Sequence, residues 1–173
     1  MDDRVDQMVR QWGRERPDLP LAGVGVQARV KLLSKQFQRE TDQALEPFDL
    51  GPWGWEILAA LRRQGRPFHA SPGGLGSDTG ITSGSITNRL DRLEKRGLIE
   101  RRADPKDRRG VLVVLTDLGL DLVERAARAR FQAADARMEP LSSAEREVLE
   151  SLLRRLLAHD DDARAQVTPE DDR

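Results

Sequence analysis

The chain has no cysteine. Disulfides, thiolate redox sensing and cysteine-bound zinc are therefore excluded. Histidine is nearly missing as well: His69 and His159 are too few and too far apart in sequence for a metal cluster. No metal and no cofactor are assigned. Long apolar runs are lacking; none exceeds the length of Val111 to Leu115, which is far too short to cross a bilayer. Asp2-Asp3 stand where a secretory leader would carry basic and then apolar residues, so the expectation is a soluble, cytoplasmic protein without a membrane partner. Neither a phosphate loop nor a nucleophile–base pair is visible, so an enzyme is not expected.

What the 173 residues do carry is charge, 34% of the total, beside a hydrophobic content of 38% that can still build a core. The net charge of -1 hides a polarised distribution. From Gly80 to Thr116, nine residues (Arg89, Arg92, Lys95, Arg96, Arg101, Arg102, Lys106, Arg108 and Arg109) oppose Asp91, Glu94, Glu100, Asp104 and Asp107, leaving a balance of about +4. Asp160, Asp161, Asp162, Glu170, Asp171 and Asp172 offset it near the other end.

Apolar periodicity predicts mostly helices. Val5, Met8, Val9 and Trp12 mark a first helix from about Asp2 to Gly13, and Val26, Val30, Leu33 and Phe37 a second from about Leu21 to Glu46, ended by Pro47. A third runs from Pro52 to Gln64. Ser71-Pro72 opens a short helix around Leu75. After the Thr79-Gly80 turn, a helix from Ser83 to Arg96 stops at Gly97. Leu98 to Arg102 and Val111 to Thr116 read as strands, joined by a loop over 103–110. A helix from Asp117 to Met138 follows, and Ser142 with Glu145 forms a capping box for the last, with its stripe of Val148, Leu149, Leu152, Leu153, Leu156 and Leu157. The implied division is 1–50 for N-terminal helices, 51–116 for a helix-turn-helix with hairpin, 117–158 for C-terminal helices, and 159–173 for an acidic, disordered tail. Apolar stripes at both ends suit dimerisation, and dimers suit palindromic DNA.

On a helical wheel with Ile86 at zero, Leu90 and Leu93 lie within about 40° and define the buried face. Gly84, Asn88 and Lys95 lie opposite, with Ser85 and Arg92 on a shoulder. Small and polar residues permit close approach to base edges, and Asn88 can pair bidentately with adenine. Ser83, Ser85 and Thr87 can bind phosphates or bases. The hairpin tip offers Lys106, Arg108 and Arg109, with Asp107 placed to brace one arginine; arginine is favoured in a narrow minor groove. Arg89 is the exception. It sits at about 300°, beside the buried face, and needs an anion, a carbonyl or water; Glu56 is the candidate partner.

The run from Leu90 to Gly119, Leu-Asp-Arg-Leu-Glu-Lys-Arg-Gly-Leu-Ile-Glu-Arg-Arg-Ala-Asp-Pro-Lys-Asp-Arg-Arg-Gly-Val-Leu-Val-Val-Leu-Thr-Asp-Leu-Gly, resembles the winged helix-turn-helix of the MarR family of bacterial transcriptional regulators. The resemblance implies a mainly α fold with a small β-hairpin wing, dimerised through N- and C-terminal helices. It also implies a homodimer that binds a palindromic double-stranded operator and represses neighbouring genes until a small ligand releases it. The additional first helix with Trp12, the acidic Glu56, Arg89 and Arg101 resemble a subgroup that includes urate-responsive regulators, which implies ligand binding at those four positions. Glu56 departs from the pattern, since urate-type members have aspartate there. Urate and xanthine thus stand beside citrate and aconitate as candidate effectors, the acids being suited to two arginines. Trp12 as an interface anchor and Glu56–Arg89 as a structural pair remain open readings. So do two other functions: a constitutive DNA-binding regulator without ligand, and a helical interaction module whose basic hairpin meets an acidic partner.

Overall fold

A computed structural model describes residues 2–165, apart from the side chains of Ser83, Arg108 and 160–165. The helices are α1 (Arg4–Glu15), α2 (Ala22–Leu45), α3 (Pro52–Arg63), α4 (Pro72–Thr79), α5 (Ser83–Lys95), α6 (Asp117–Arg137) and α7 (Ser143–Ala165). The strands are β1 (His69–Ala70), β2 (Ile99–Asp104) and β3 (Asp107–Leu115), in the order β1-β3-β2, all antiparallel. The chain divides into two compact units between Ala134 and Asp135. No described helix is long and apolar enough to cross a membrane.

The expected architecture is present, mainly α with a small wing. Four details differ. β1 was not anticipated: two residues carry no readable periodicity, and only their pairing with Val113 and Val114 makes them a strand. The strands of the wing extend farther than the 103–110 loop allowed, because Asp104 accepts the Lys106 N–H at 2.8 Å and closes a tight turn, with a bulge at Ala103/Asp104. α2 ends at Leu45 and passes into a 3-10 turn, Glu46–Phe48, that accommodates Pro47 at its start. α7 continues to Ala165, past the expected start of the tail at 159; residues 166–173 of that tail lie outside the described residues.

The core of the first unit gathers around α3, whose Ile57, Leu58, Ala60 and Leu61 are wholly buried. Leu75 of α4, Ile86, Leu90 and Leu93 of α5, Ile99 and Val113 of the sheet, and Val123 and Ala126 of α6 are among the residues that join it. Each such leucine, isoleucine or valine contributes about 1.5–3 kcal/mol by leaving water. Of all the glycines, the one in the tightest place lies where α6 begins. A Cβ on Gly119 would lie 2.0 Å from the carbonyl oxygen of Leu98. Beside it, the Thr116 hydroxyl donates to the Gly97 carbonyl at 2.7 Å and accepts the Gly119 N–H at 3.0 Å. One threonine thus caps α6 and ties it to the turn that leaves α5.

α1, whose Val5 is buried, is held to α2 by charge. Asp3 caps α1, accepting the N–H groups of Val5 at 2.7 Å and Asp6 at 3.0 Å, while the Asp6 carboxylate accepts the Asp3 N–H at 2.9 Å. This is a capping box built from two aspartates. Arg29 of α2 then donates to both, at 2.9 Å to Asp3 and 2.7 Å to Asp6. The Asp6 N–H and the Arg29 guanidinium lower the Asp3 pKa to about 2. The contribution of a depressed carboxylate is complete above its ordinary value and disappears as pH falls through the folded one.

Two outcomes are expected. Titrating Asp3 by carboxyl NMR gives a midpoint about 2, and Arg29→Met moves it up toward the ordinary 3.8, with the end of α1 fraying at a correspondingly higher pH; a midpoint unchanged by Arg29→Met refutes the clamp. Gly119→Ala, measured by urea denaturation, destabilises the chain by about 3 kcal/mol or more, since backbone cannot yield as a flexible side chain would.

Candidate nucleic-acid interface

α4, the Gly80 turn and α5 form the helix-turn-helix. Ser71 caps α4 by accepting the Gly74 N–H at 3.1 Å. Gly80 takes the left-handed conformation, φ 67°, that ends α4. Gly76 permits the close crossing, for a Cβ there would stand 3.0 Å from the Ile81 carbonyl. α5 then turns Ile86, Leu90 and Leu93 inward and leaves Gly84, Thr87, Asn88, Asp91, Arg92 and Lys95 exposed. Ser85 and Arg89 are half-buried at the margin. Between α4 and α5 opens a crevice of about 370 Å³ lined by Pro72, Gly73, Gly76, Ser77, Ile81, Ile86 and Thr87.

The wing projects Lys106 and Arg109 into solvent. Asp107 shapes the tip through the main chain, accepting the Arg109 N–H at 2.9 Å. Gly110 is required beneath it: a Cβ would meet those of Asp104 and Asp107 at 3.0 and 3.1 Å. Thus Gly84, Thr87, Asn88, Arg92, Lys106, Asp107 and Arg109 all lie exposed on the recognition helix or wing tip, and Ser85 lies at the helix margin. Ser83 opens α5 and Arg108 belongs to β3, but their side chains are outside those described.

The four residues of the implied ligand set are not joined to one another by any ion pair, hydrogen bond or ring contact among the described residues. The expected Arg89–Glu56 pair is replaced. The Arg89 guanidinium stands 6.0 Å from the ring centroid of Trp53, one turn ahead of Glu56 on α3, and Arg92 stands 5.3 Å from the same ring. The indole occupies the shoulder that the carboxylate was expected to fill. Glu56 is half-buried on α3, and Trp12 is half-exposed on α1. Arg101 of β2 faces Asp91 and Glu94 of α5. Burial works against its charge, but the Asp91 hydrogen bond and the Glu94 charge outweigh that and raise its pKa above the ordinary arginine value.

Sequence reasoning missed Trp53, which packs against two arginines of the recognition helix, and Arg96, which donates to the Asp49 carbonyl at 2.7 Å. The signal for Trp53 was present in the i, i+3 spacing to Glu56 and the two facing arginines. Nothing in the sequence pointed Arg96 at the corner between α2 and α3. Among the described residues no group of three acidic or histidine side chains is placed to hold a metal ion.

Comparison with known proteins agrees with this geometry. The description of the MarR family matches residues 48–110, from the corner after α2 to the glycine under the wing tip. The transcriptional regulator PecS of Dickeya dadantii is 35% identical over 158 residues, covering 90% of this chain and 93% of PecS. Among solved structures, a mutant MarR from E. coli complexed with operator DNA superposes with a TM-score of 0.66 at 26% identity, covering 84% of this chain and 97% of that one. BpsR of Bordetella bronchiseptica, whose DNA binding is regulated by 6-hydroxynicotinic acid, gives 0.65 at 29% identity, covering 76% and 91%.

The wing tip supplies a direct test. Gly110→Ala forces Asp104 and Asp107 apart, so amide hydrogen exchange is expected to accelerate over 101–112 while α3 and α5 stay protected, a local cost of about 1–3 kcal/mol. Unchanged exchange at the tip refutes the packing argument.

Proposed function

The chain belongs to the MarR family, and from that premise we propose that it is a cytoplasmic, homodimeric repressor that leaves a palindromic operator when a small anionic metabolite binds. The observation that carries the DNA part is the pairing of one bare polar helix face with a wing tip of fixed shape. α5 enters the major groove, with Asn88 and Arg92 reading base edges and Gly84 allowing the approach. Ser83, Ser85 and Thr87 bind phosphates or bases, and Lys106, Arg108 and Arg109 follow the backbone or the adjacent minor groove, with Asp107 keeping the tip in shape.

The dimeric part is supported by uncovered apolar faces. In the first unit Val26, Val30, Leu33 and Phe37 of α2 and Trp12 of α1 are exposed; in the second, Val148, Leu149, Leu152, Leu153, Leu156 and Leu157 of α7 are. Isolated exposed leucines are ordinary, but contiguous stripes on long helices call for a partner. Residues 1–50 and 117–158 are thus assigned to dimerisation, and 51–116 to DNA.

The effector part is supported by Arg89. Its guanidinium has the Trp53 ring behind it and no carboxylate within ion-pair distance among the described residues. An arginine left so is a ready ligand for a planar carboxylate or urate-like anion. Glu56 on α3, Trp12 on α1 and Arg101 at the wing base complete the proposed set, and Arg101 reaches an effector only by exchanging one of its present carboxylates. Movement of α5 then spoils the match between two half-sites one helical turn apart.

A salt series of fluorescence anisotropy on promoter fragments, with urate, xanthine, citrate or aconitate added, tests this reading. Specific retention of palindromic DNA with a steep salt slope is expected, because phosphate contacts release counterions. An effector at a hundredfold excess over its Kd stabilises the protein by about 2.7 kcal/mol in a thermal melt. Arg89→Ala abolishes that rise and the release from DNA. Specific binding that no ligand changes points to a constitutive regulator; no specific binding, with capture by an acidic partner, points to an interaction module.

A further inference from the structure

The wing and the recognition helix are consecutive in the chain, separated by a turn over 96–98 in which Gly97 has φ 69°. Main chain closes that turn, the Leu98 N–H donating to the Leu93 carbonyl at 3.1 Å, but side chains must fix the wing beyond it. Arg101 spans the turn. Its main-chain N–H donates to Glu94 Oε1 at 3.0 Å, and its guanidinium donates to the other Glu94 oxygen. It also meets Asp91 at 2.7 Å and reaches the Thr87 carbonyl at 3.4 Å. Thr87, Asp91 and Glu94 make one stripe along two turns of α5. One strand residue therefore grips the recognition helix along that stripe, with its side chain 27% exposed and so partly shielded from salt.

The chemistry of this contact is more than a surface ion pair. Asp91 and Glu94 put two negative charges on a helix that approaches phosphates, and one guanidinium cannot neutralise both. Charge cancellation alone would select neutral residues at 91 and 94. A planar fork held by two carboxylates fixes orientation instead, which a lysine ammonium does not do.

We propose that Arg101 is a positioning residue for DNA recognition: by clamping Asp91 and Glu94 it locks the wing at one angle to α5, so that base-reading helix and backbone-following wing meet DNA as a single rigid element. The inference rests on the DNA-binding reading above. It assigns to Arg101 a role in specificity that needs neither an effector nor contact with DNA.

The experiment measures affinity for a palindromic promoter fragment and for random-sequence duplex over a series of KCl concentrations. The proteins are full-length wild type, Arg101→Met, Arg101→Lys, Asp91→Asn/Glu94→Gln, and the triple variant. The specificity ratio is expected to fall about tenfold in Arg101→Met and in the double variant, with no further fall in the triple, as coupled partners require. Arg101→Lys recovers little of it. The salt slope of the non-specific affinity stays at the wild-type value. A slope smaller by about one in Arg101→Met makes the residue a phosphate contact and overturns the proposal. Full rescue by lysine, or additive losses in the triple variant, overturns it too. If wild type shows no preference for promoter DNA, the functional reading fails, and the clamp is judged separately by hydrogen exchange. Faster exchange of β2 and β3 in Arg101→Met and Glu94→Gln, with α5 still protected, supports it; unchanged exchange overturns it.

Discussion

The first unit depends on one close approach, the backbone contact between Gly119 and the Leu98 carbonyl. Side-chain packing can adjust by changing rotamers, but main chain against main chain cannot. Only a residue without a Cβ lets α6 start there, 2.0 Å being far inside any real contact. That contact sets where the sheet ends relative to α6, and Thr116 then secures the register by bonding to Gly97 and Gly119 together. Since Gly97 is also where α5 stops, the position of the recognition helix is inherited from this junction. The apolar seam of Ile86, Leu90 and Leu93 completes that placement by joining the same core as α3.

Given that frame, the polar contacts around α5 divide their work by direction. Arg96 ties its C-terminal end to the main chain at Phe48 and Asp49, a corner in which Asp49 itself has φ 50°. Arg101 ties its flank to the wing. Trp53 supports Arg89 and Arg92 from α3. Each anchor ends on a different element, so α5 can be disturbed from the α2 corner, from the wing or from α3 independently. Ion pairs of partly exposed groups add little to overall stability. Their value here is geometric, because base recognition tolerates only small errors of placement while folding free energy tolerates large ones.

Legibility followed the same division. Elements with long apolar periods, α1, α2, α3, α5, α6 and α7, could be read because helical spacing repeats over several turns. Capping residues could be read where the chemistry is local, as at Ser71 and at Ser142 with Glu145. β1 could not, since its two residues become a strand only through β3. The wheel placed Arg89 beside the buried face but could not name its neighbour, and the choice of Glu56 over Trp53 went wrong by one helical turn. Trp12 shows the limit from another side. Its place on an amphipathic helix was evident, but which surface covers its exposed half is a property of association and is written in no local pattern.

The charge of the molecule also takes a different meaning from the structure. A basic surplus of about +4 in the segment 80–116 suggested a simple cationic footprint. Yet Arg101 is engaged by Asp91 and Glu94, Arg102 by Glu100, and Arg96 by the Asp49 corner. Arg92 and Lys95 on the helix, with Lys106 and Arg109 on the wing, stand exposed, and no ion pair occupies them among the described residues. These exposed cations are concentrated at two places, the bare face of α5 and the tip of the wing. A uniform basic patch would attract any polyanion. Pairing the inner arginines and leaving the outer cations at two separated points favours a partner whose phosphates are spaced to meet both, and that spacing is what the proposed Arg101 clamp would maintain.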